Sequence, residues 1–448
     1  MTAISYTDQV LTGWGRTAPS RAMVGEPLDL APLRELVASR PARGVVGRGA
    51  GRSYGDAGQN NGGYVVRPVS PPHLELDQAA ATLRASAGTT FTEILAAAVP
   101  NGLLPPVLPG TRHLTIGGAV AADVHGKNHR RDSSIAAWVD EIELLDGSGA
   151  VRRLTPDADA FQATAGGMGL TGIILAVTLR LLRIRSAVLE VSSHRLDDLD
   201  ALLAALDAAR SRYSVAWIDT TAAGRSLGRG IVDTGDHLPG PDPLREPDGL
   251  SYHTPRARRA PALPLCPVRP WSARGFNSLF FHRAPREHRG LADLPGFFHR
   301  LDAVAGWNRA VGPRGLIQYQ FVVPDGGEKL IARALETVQR HDCAPFLGTL
   351  KRFGPASGGT LSFPLPGWSL AIDMPGGRPG LAPALAELDY EVASAGGRVY
   401  LAKDARLGRA SFEAMYGPVA RWRTARAELD PHGVFQSDLG RRLGLCAE

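Results

Sequence analysis

Three glycine-dense runs and one knot of proton-carrying side chains are the parts of this chain equipped for chemistry. The first run is Gly47-Arg48-Gly49-Ala50-Gly51-Arg52-Ser53-Tyr54-Gly55-Asp56, which follows the β-type pair Val45-Val46. The second is Pro109-Gly110-Thr111-Arg112-His113-Leu114-Thr115-Ile116-Gly117-Gly118-Ala119, and His125-Gly126-Lys127-Asn128-His129 comes soon after it. The third is Ala165-Gly166-Gly167-Met168-Gly169-Leu170-Thr171-Gly172-Ile173-Ile174. Each holds too many glycines for a core helix or a central strand. Glycine is placed where backbone must take positive φ, or where backbone N–H groups must come close to a ligand. Arg48 and Arg52 add positive charge of the kind a diphosphate attracts. Several such loops on one chain fit one long ligand held at several points, with a diphosphate in its middle. With the His/Lys/Asn cluster beside them, they describe a site for a flavin dinucleotide.

The loops need a sizeable scaffold. A chain of 448 residues is long enough for two domains, or for one large domain with insertions, and its 44% apolar content supplies real cores. Cys266, Cys343 and Cys446 are odd in number and far apart. That spacing speaks against a disulfide framework and against a CxxC metal site, and it fits a reducing compartment. Met1 to Ser20 lacks the apolar stretch of a signal peptide. No apolar run reaches the about 18 residues of a spanning helix, and the most apolar stretch, Gly172 to Ile184, is broken by Arg180 and Arg183. The expectation is a cytoplasmic, non-secreted protein without a metal site, with peripheral contact at the inner membrane face as a further option. The net charge of +6 has two readings. It is either a solvated Arg-rich surface, or an attraction for phosphate on a substrate or an anionic membrane. Nucleic acid is not expected, since zinc-finger spacing, an RNP-like aromatic motif and a basic zipper are all missing.

The first 185 residues are rich in short strand patterns. Residues 141–145 and 150–154 flank Asp146-Gly147-Ser148-Gly149 as a hairpin, and 175–184 reads as a strand. From about Ala187 the texture changes. Leu199, Leu202, Leu203 and Leu206 share one face of a helix over 196–209. Strands are expected at 216–219, 230–232 and 315–323, paired strands over 360–373, and a short strand at 398–402. Helices are expected at 328–340, 381–395 (stopped by Gly396-Gly397) and 411–429. Residues 239–272 are dense in proline and arginine and have no period. A loop of that length reads as a mobile lid facing substrate or membrane, or as a plain surface insertion.

Two motifs mislead. Gly167-Met168-Gly169-Leu170-Thr171-Gly172 matches GxGxxG, but a dinucleotide fingerprint must open a helix and a β-rich run follows here. Gly224-Arg225-Ser226-Leu227-Gly228 matches GxSxG, but a nucleophile elbow also needs a helix after it, and Arg229-Gly230-Ile231-Val232 is strand-like.

Taken in order, the glycine runs resemble the flavin-linked oxidases of the vanillyl-alcohol oxidase type with a PCMH-type FAD domain. Within that family they resemble the branch that oxidises a polyprenylphosphoryl ribose. The resemblance runs nearly end to end. It continues through Pro106-Val107-Leu108, Trp307-Asn308-Arg309-Ala310, Gln318-Tyr319-Gln320-Phe321, Phe353-Gly354-Pro355, Leu361-Ser362-Phe363-Pro364 and Ala402-Lys403-Asp404. It implies an α+β, two-domain fold. Residues 1–186 would form the FAD-binding domain, 187–397 a substrate domain on an antiparallel sheet, and 398–448 a segment returning to the FAD domain. It implies an FAD lined by Gly47 to Ala57, Gly110, Thr111, Thr115 to Gly118, Ala122, Asp123, Val124, His125, Gly169, Gly172, Ile174 and Tyr400. Many relatives tether the flavin through a histidine in the first loop. Arg52 stands at that place, which implies non-covalent FAD.

The same resemblance implies a catalytic role for His125 near the flavin ring and for Lys403 beside the sugar carbon. Burial and neighbouring cations depress a lysine pKa toward the range of a general base. The plain alternative is a surface ion pair between Lys403 and Asp404. Lys127 would reach the flavin or the substrate phosphate, and Gln318, Gln320, Lys351 and Ser369 match substrate-pocket positions. Amides at alternate positions of one strand share a face, as sugar hydroxyls require, although a Gln-x-Gln strand is also a normal solvated edge. Tyr54 and Trp217 would wall the pocket. The implied reaction oxidises a secondary hydroxyl on a furanose-type sugar to a ketone by hydride transfer to flavin N5. That would be the first half of a 2′-epimerisation of a polyprenylphosphoryl ribose, completed by a separate NAD(P)H-dependent keto-sugar reductase. Ser369, Ala371, Phe298, Val311 and Arg67 depart from the branch pattern, so a free sugar, sugar alcohol, aldonolactone or nucleoside stays open as the substrate.

Overall fold

The strand that leads into the first glycine loop, Val45–Gly47, is short, and its two valines are buried. In this computed structural model, which describes residues 5–27, 29–68, 73–240, 249–417 and 419–446, it pairs in parallel with Tyr64–Val66. Parallel neighbours need a long crossover, usually a helix. Here the glycine loop itself makes the crossing. Ser20–Gly25 and Tyr6–Leu11 complete this four-stranded sheet.

The expected hairpin forms from Val139–Leu145 and Val151–Leu154. Its turn closes on the Asp146 carboxylate, which accepts from the N–H groups of Ser148 and Ala150. The hairpin belongs to a five-stranded antiparallel sheet with Ile173–Arg180, Thr82–Ser86 and Leu74–Asp77. The third glycine run lies between the helix Asp159–Thr164 and the strand Ile173–Arg180. That order is the reverse of a Rossmann turn, as the β-rich sequence after it implies. Gly224–Ser226 is a single 3₁₀ turn followed by the strand Gly230–His237, so no nucleophile elbow forms.

An eight-stranded antiparallel sheet carries the second half of the chain. Its order is Glu287–Ala292, Leu189–Leu196, Gly230–His237, Tyr213–Ile218, Leu347–Phe353, Gly367–Pro375, Leu316–Val323 and Arg398–Val399. The helices Leu199–Ala208, Lys329–Arg340 and Leu381–Ser394 cover one of its faces. In Lys329–Arg340 the buried side chains are Leu330, Ile331, Ala334, Leu335, Thr337 and Val338, a single stripe at helical spacing. The opposite face of this sheet is polar. One apolar core runs from Leu83 and Val177 of the five-stranded sheet through Phe363 and Leu401 to Leu350 and Leu370 of the eight-stranded one.

Three expectations need correction. Residues 360–366 are turn and irregular backbone, and only Gly367–Pro375 is a strand, pairing with 316–323 and 347–353. The two prolines there, Pro364 and Pro366, cannot donate to a ladder. The helix expected over 411–429 is two helices, Arg409–Met415 and Val419–Leu429, and the sequence between them holds a proline, a residue that breaks helices. The strand at 398–402 stops at Val399. Of the segment 239–272, residues 241–248 lie outside the described residues. The rest includes the short parallel pair of Arg258–Arg259 with Val304–Ala305. It then enters the helix Pro270–Arg283, which sequence periodicity did not reveal. No helix among the described residues is long and apolar enough to cross a membrane.

Candidate active site

Strand register builds the polar face. One row across it is Trp217, Thr349, Ala371 and Gln320; the next is Lys351, Ser369 and Val322; the third is Leu347, Asp373 and Gln318. Alternate residues of a strand share a face, so Trp217, Gln318, Gln320, Lys351 and Ser369 stand together. The Gln318 amide donates to both oxygens of Asp373, at 3.0 and 2.9 Å. The Gln320 amide donates to Ser369 Oγ (3.1 Å) and to His125 Nε2 (3.0 Å).

Lys403 arrives from the turn after Arg398–Val399, and its Nζ lies 4.1 Å from the centre of the Tyr54 ring. The Tyr54 N–H donates to Ala402 O (2.9 Å), which stitches the first glycine loop to the lysine turn. Gly55 is required there, because a Cβ would lie 1.7 Å from Asp404 O. Arg442, on the helix Asp438–Arg442, clamps both parts. It donates twice to Asp56 (3.0 and 2.7 Å), once to Asp404 (2.8 Å) and once to Leu407 O (2.7 Å). The carboxylates of Asp56 and Asp404 are therefore structural, and Lys403 is not ion-paired to its sequence neighbour.

Burial drives the electrostatics of this face. It pulls the Lys403 ammonium down to about 8, against the opposing pull of Asp373. It pulls Lys351 down to about 8 as well, assisted by the charge of Lys403. Burial pushes the Asp373 carboxyl up to about 7, while Gln318 and Lys403 hold it back. His125 is boxed by Phe353, Phe363 and Tyr400, with ring centres 4.9, 5.6 and 5.3 Å away. Desolvation, then Lys351, His129 and Lys403, hold its pKa well below the usual value. The imidazole is neutral, accepts at Nε2 and so carries its proton on Nδ1, which is buried without a partner. Lys127 lies within electrostatic reach of Lys351. Its Nζ donates to Phe297 O (2.5 Å) over the Phe297 ring, and burial brings it down to about 7.

The residues expected around a flavin fall into two groups. Ala50, Gly110 and Gly118 are exposed, and Arg52, Ser53 and Thr111 partly so. Gly51 and Gly169 have φ of +63° and +77°, and a Cβ on Gly110 or Gly169 would meet nothing within 4 Å. A Cβ on Gly49 would lie 2.1 Å from Thr115 Oγ1, so the first two loops touch where glycine leaves room. Arg52 stacks on Trp14 (4.4 Å), and its Nε is buried without a partner. These open backbones and unpartnered donors fit a dinucleotide. The second group braces the loops. Arg48 donates to Gly58 O and Thr12 O. Asp123, at φ +40°, accepts from Ser134, Ser357 and Ala136. Tyr400 donates to Ala122 O, and Ile116, Gly117 and Ala57 are buried. Gly172 faces Leu145 O, Val124 is buried in the core, and Ile174 is partly buried against it.

Sequence reasoning missed Asp373, Arg442 and the Phe353/Phe363 box. Asp373 had a signal, since it is the one acid in the apolar run Leu370-Ala371-Ile372-Asp373-Met374. Among the departures, Ser369 accepts from Gln320, Phe298 packs on Tyr213 (4.8 Å), Val311 packs near Tyr54, and Arg67 pairs with Glu26.

A profile described as an FAD binding domain matches residues 28–155. Decaprenylphosphoryl-β-D-ribose oxidase of Mycolicibacterium smegmatis is 37% identical over 99% of both chains. A Streptomyces coelicolor protein of undefined activity is 40% identical over 78% of this chain and 97% of its own. Alditol oxidase of a Streptomyces species is 28% identical over 42% of this chain and 45% of its own. On identity that spans both chains, and on the match to an FAD binding domain, the chain belongs to the decaprenylphosphoryl-β-D-ribose oxidase family of FAD-dependent, vanillyl-alcohol-oxidase-type oxidoreductases.

Proposed function

We propose that the chain oxidises a secondary hydroxyl of a furanose sugar carried on a polyprenyl phosphate, and that the ketone formed is the first half of a 2′-epimerisation. The observation that carries the reading is the position of Lys403. It is a lysine depressed by burial, over Tyr54, and within electrostatic reach of Lys351 and Asp373 on the sheet face that also carries Gln318 and Gln320. Bound FAD supplies the acceptor, N5, for the hydride that leaves the sugar carbon. Neutral Lys403 takes the hydroxyl proton, so the alcohol loses one proton and one hydride and becomes a carbonyl. The charge of Asp373 opposes the burial that depresses Lys403. Gln318 and Gln320 orient hydroxyls, and Lys351 faces the phosphate. His125 stays neutral and positions Gln320. A separate NAD(P)H-dependent reductase would return the ketone to an alcohol of inverted configuration. We assign the flavin-binding part to residues 1–186 with 398–448, and the substrate part to 187–397.

The test is anaerobic mixing of the holoenzyme with a polyprenylphosphoryl ribose, followed by flavin absorbance. Bleaching by the lipid-linked sugar is expected, and Lys403→Ala should abolish it. Normal flavin reduction in Lys403→Ala would sink the assignment of the base. A second reading, oxidation of a free sugar, alditol, aldonolactone or nucleoside, draws on the altered wall at Ser369 and Ala371. Bleaching only by such compounds would select it.

A further inference from the structure

We propose that the outer face of the helix Pro270–Arg283 is a docking surface for an anionic phospholipid bilayer. Single exposed apolar residues are ordinary, but a cluster is not. Eleven large apolar residues are exposed among the described residues, and seven of them lie between 265 and 304. On this helix Trp271 is 76% exposed, Phe276 64%, Leu279 59% and Phe280 44%. Its inward face is Ala273, Asn277 and Phe281, spaced by four, with the Asn277 amide donating to Asp219. The apolar stripe is therefore on the side away from the core. That inverts the pattern of a normal surface helix.

Charge identifies what covers the stripe. From Leu250 to Arg286 there are seven arginines, at 256, 258, 259, 269, 274, 283 and 286, and no aspartate or glutamate. Among the described residues, the ion pair formed by this group is that of Arg286 with Asp197. A second copy of the chain would set the same positive charge against it and be repelled. Aromatic and aliphatic side chains on a helix that carries Arg274 and Arg283, in a segment rich in arginine, match an anionic bilayer interface instead. At 14 residues the helix is too short to span and would lie in the interface plane.

The stripe also adjoins the substrate face. The Phe280 ring is 4.7 Å from Trp217, which shares a row with Thr349, Ala371 and Gln320. A lipid-linked sugar could then pass from the bilayer to Lys403 without its chain crossing water. That delivery role rests on the lipid-linked reading above, whereas the docking itself does not.

The test is co-sedimentation of the holoenzyme with phosphatidylcholine vesicles, with and without phosphatidylglycerol, at low and high salt. Binding only to the anionic vesicles, reversed by salt, is expected. Trp271→Ser/Phe276→Ser/Leu279→Ser should weaken it at least about tenfold. Substituting Arg258, Arg259 and Arg274 by Ser should cost about fivefold per charge. Flavin content and melting temperature report that the variants fold. Equal binding to neutral vesicles, or unchanged binding by the apolar triple variant, would overturn the proposal. So would a wild-type dimer that this variant converts to monomer, since the stripe would then be a subunit interface. Vesicle binding without turnover of a lipid-linked sugar would reject the substrate assignment and leave the docking surface standing.

Discussion

Replacing Arg442 by methionine removes four hydrogen bonds at once and leaves the aliphatic volume largely in place. The side chain of Asp56 is 10% accessible and that of Asp404 2%, so both carboxylates would be stranded in a place water barely reaches. Stranding a buried charge costs about 3–5 kcal/mol. Two facts move the expectation to the lower end. Asp404 keeps the N–H groups of Arg406 and Leu407, and Arg442 itself is 22% accessible. We expect a loss of about 3 kcal/mol in urea unfolding. Adding Asp56→Asn should return part of it, because the stranded charge disappears. Turnover should fall by about a hundredfold with flavin still bound, because Lys403 hangs on the same clamp and small misplacements are costly. A stability loss under about 1 kcal/mol would put the pair in the class of exposed ion pairs and refute the clamp.

Turnover should rise with pH through about 8, the value to which burial brings Lys403, because the neutral amine is the form that accepts a proton. Lys403→Met should remove that limb in a pH-rate profile. Lys351→Met should stabilise the protein by up to about 3 kcal/mol at pH 7 in denaturant titrations. The folded-state pKa lies near 8 and the ordinary value is 10.5, so the penalty on the charged lysine is full below 8. The gain should fade between pH 8 and 10.5, as the wild-type lysine loses its proton. Gly49→Val should yield colourless protein, since Thr115 Oγ1 occupies the space the side chain needs; retention of full flavin content would contradict the contact between the loops. Acid precipitation should release all flavin into the supernatant, because the loop from Gly47 to Ala57 holds neither histidine nor cysteine; a yellow pellet would reverse that expectation.

The sequence was most readable where a local rule applies. The Asp146 hairpin, the stripe of Lys329–Arg340 and the alternation of Gln318 and Gln320 each depend on a few neighbouring residues, and each appears where expected. The C-terminal helix was misjudged although Gly417-Pro418 marked its division. Residues 360–366 were misjudged for another reason, because their strand-like residues are interleaved with prolines. What the sequence could not display was pairing over distance. Arg442 meets Asp56 across 386 positions, and Asp373 becomes meaningful only when register sets it opposite Gln318. The polarity of Pro270–Arg283 was hidden because its apolar residues face outward, so that periodicity gave no inward stripe.

The crossover between Val45–Gly47 and Tyr64–Val66 ties cofactor occupancy to folding. The loop we assign to the flavin is also the segment whose ends must reach two parallel strands in fixed register. Closing it costs chain entropy before any ladder bond repays it. A ligand that binds only the closed loop stabilises the native sheet by RT ln(1 + [L]/Kd), about 2.7 kcal/mol at a hundredfold excess over Kd. Added FAD is therefore expected to raise the melting temperature of the apoprotein, and a melting temperature that ignores FAD would break the link between cofactor and sheet.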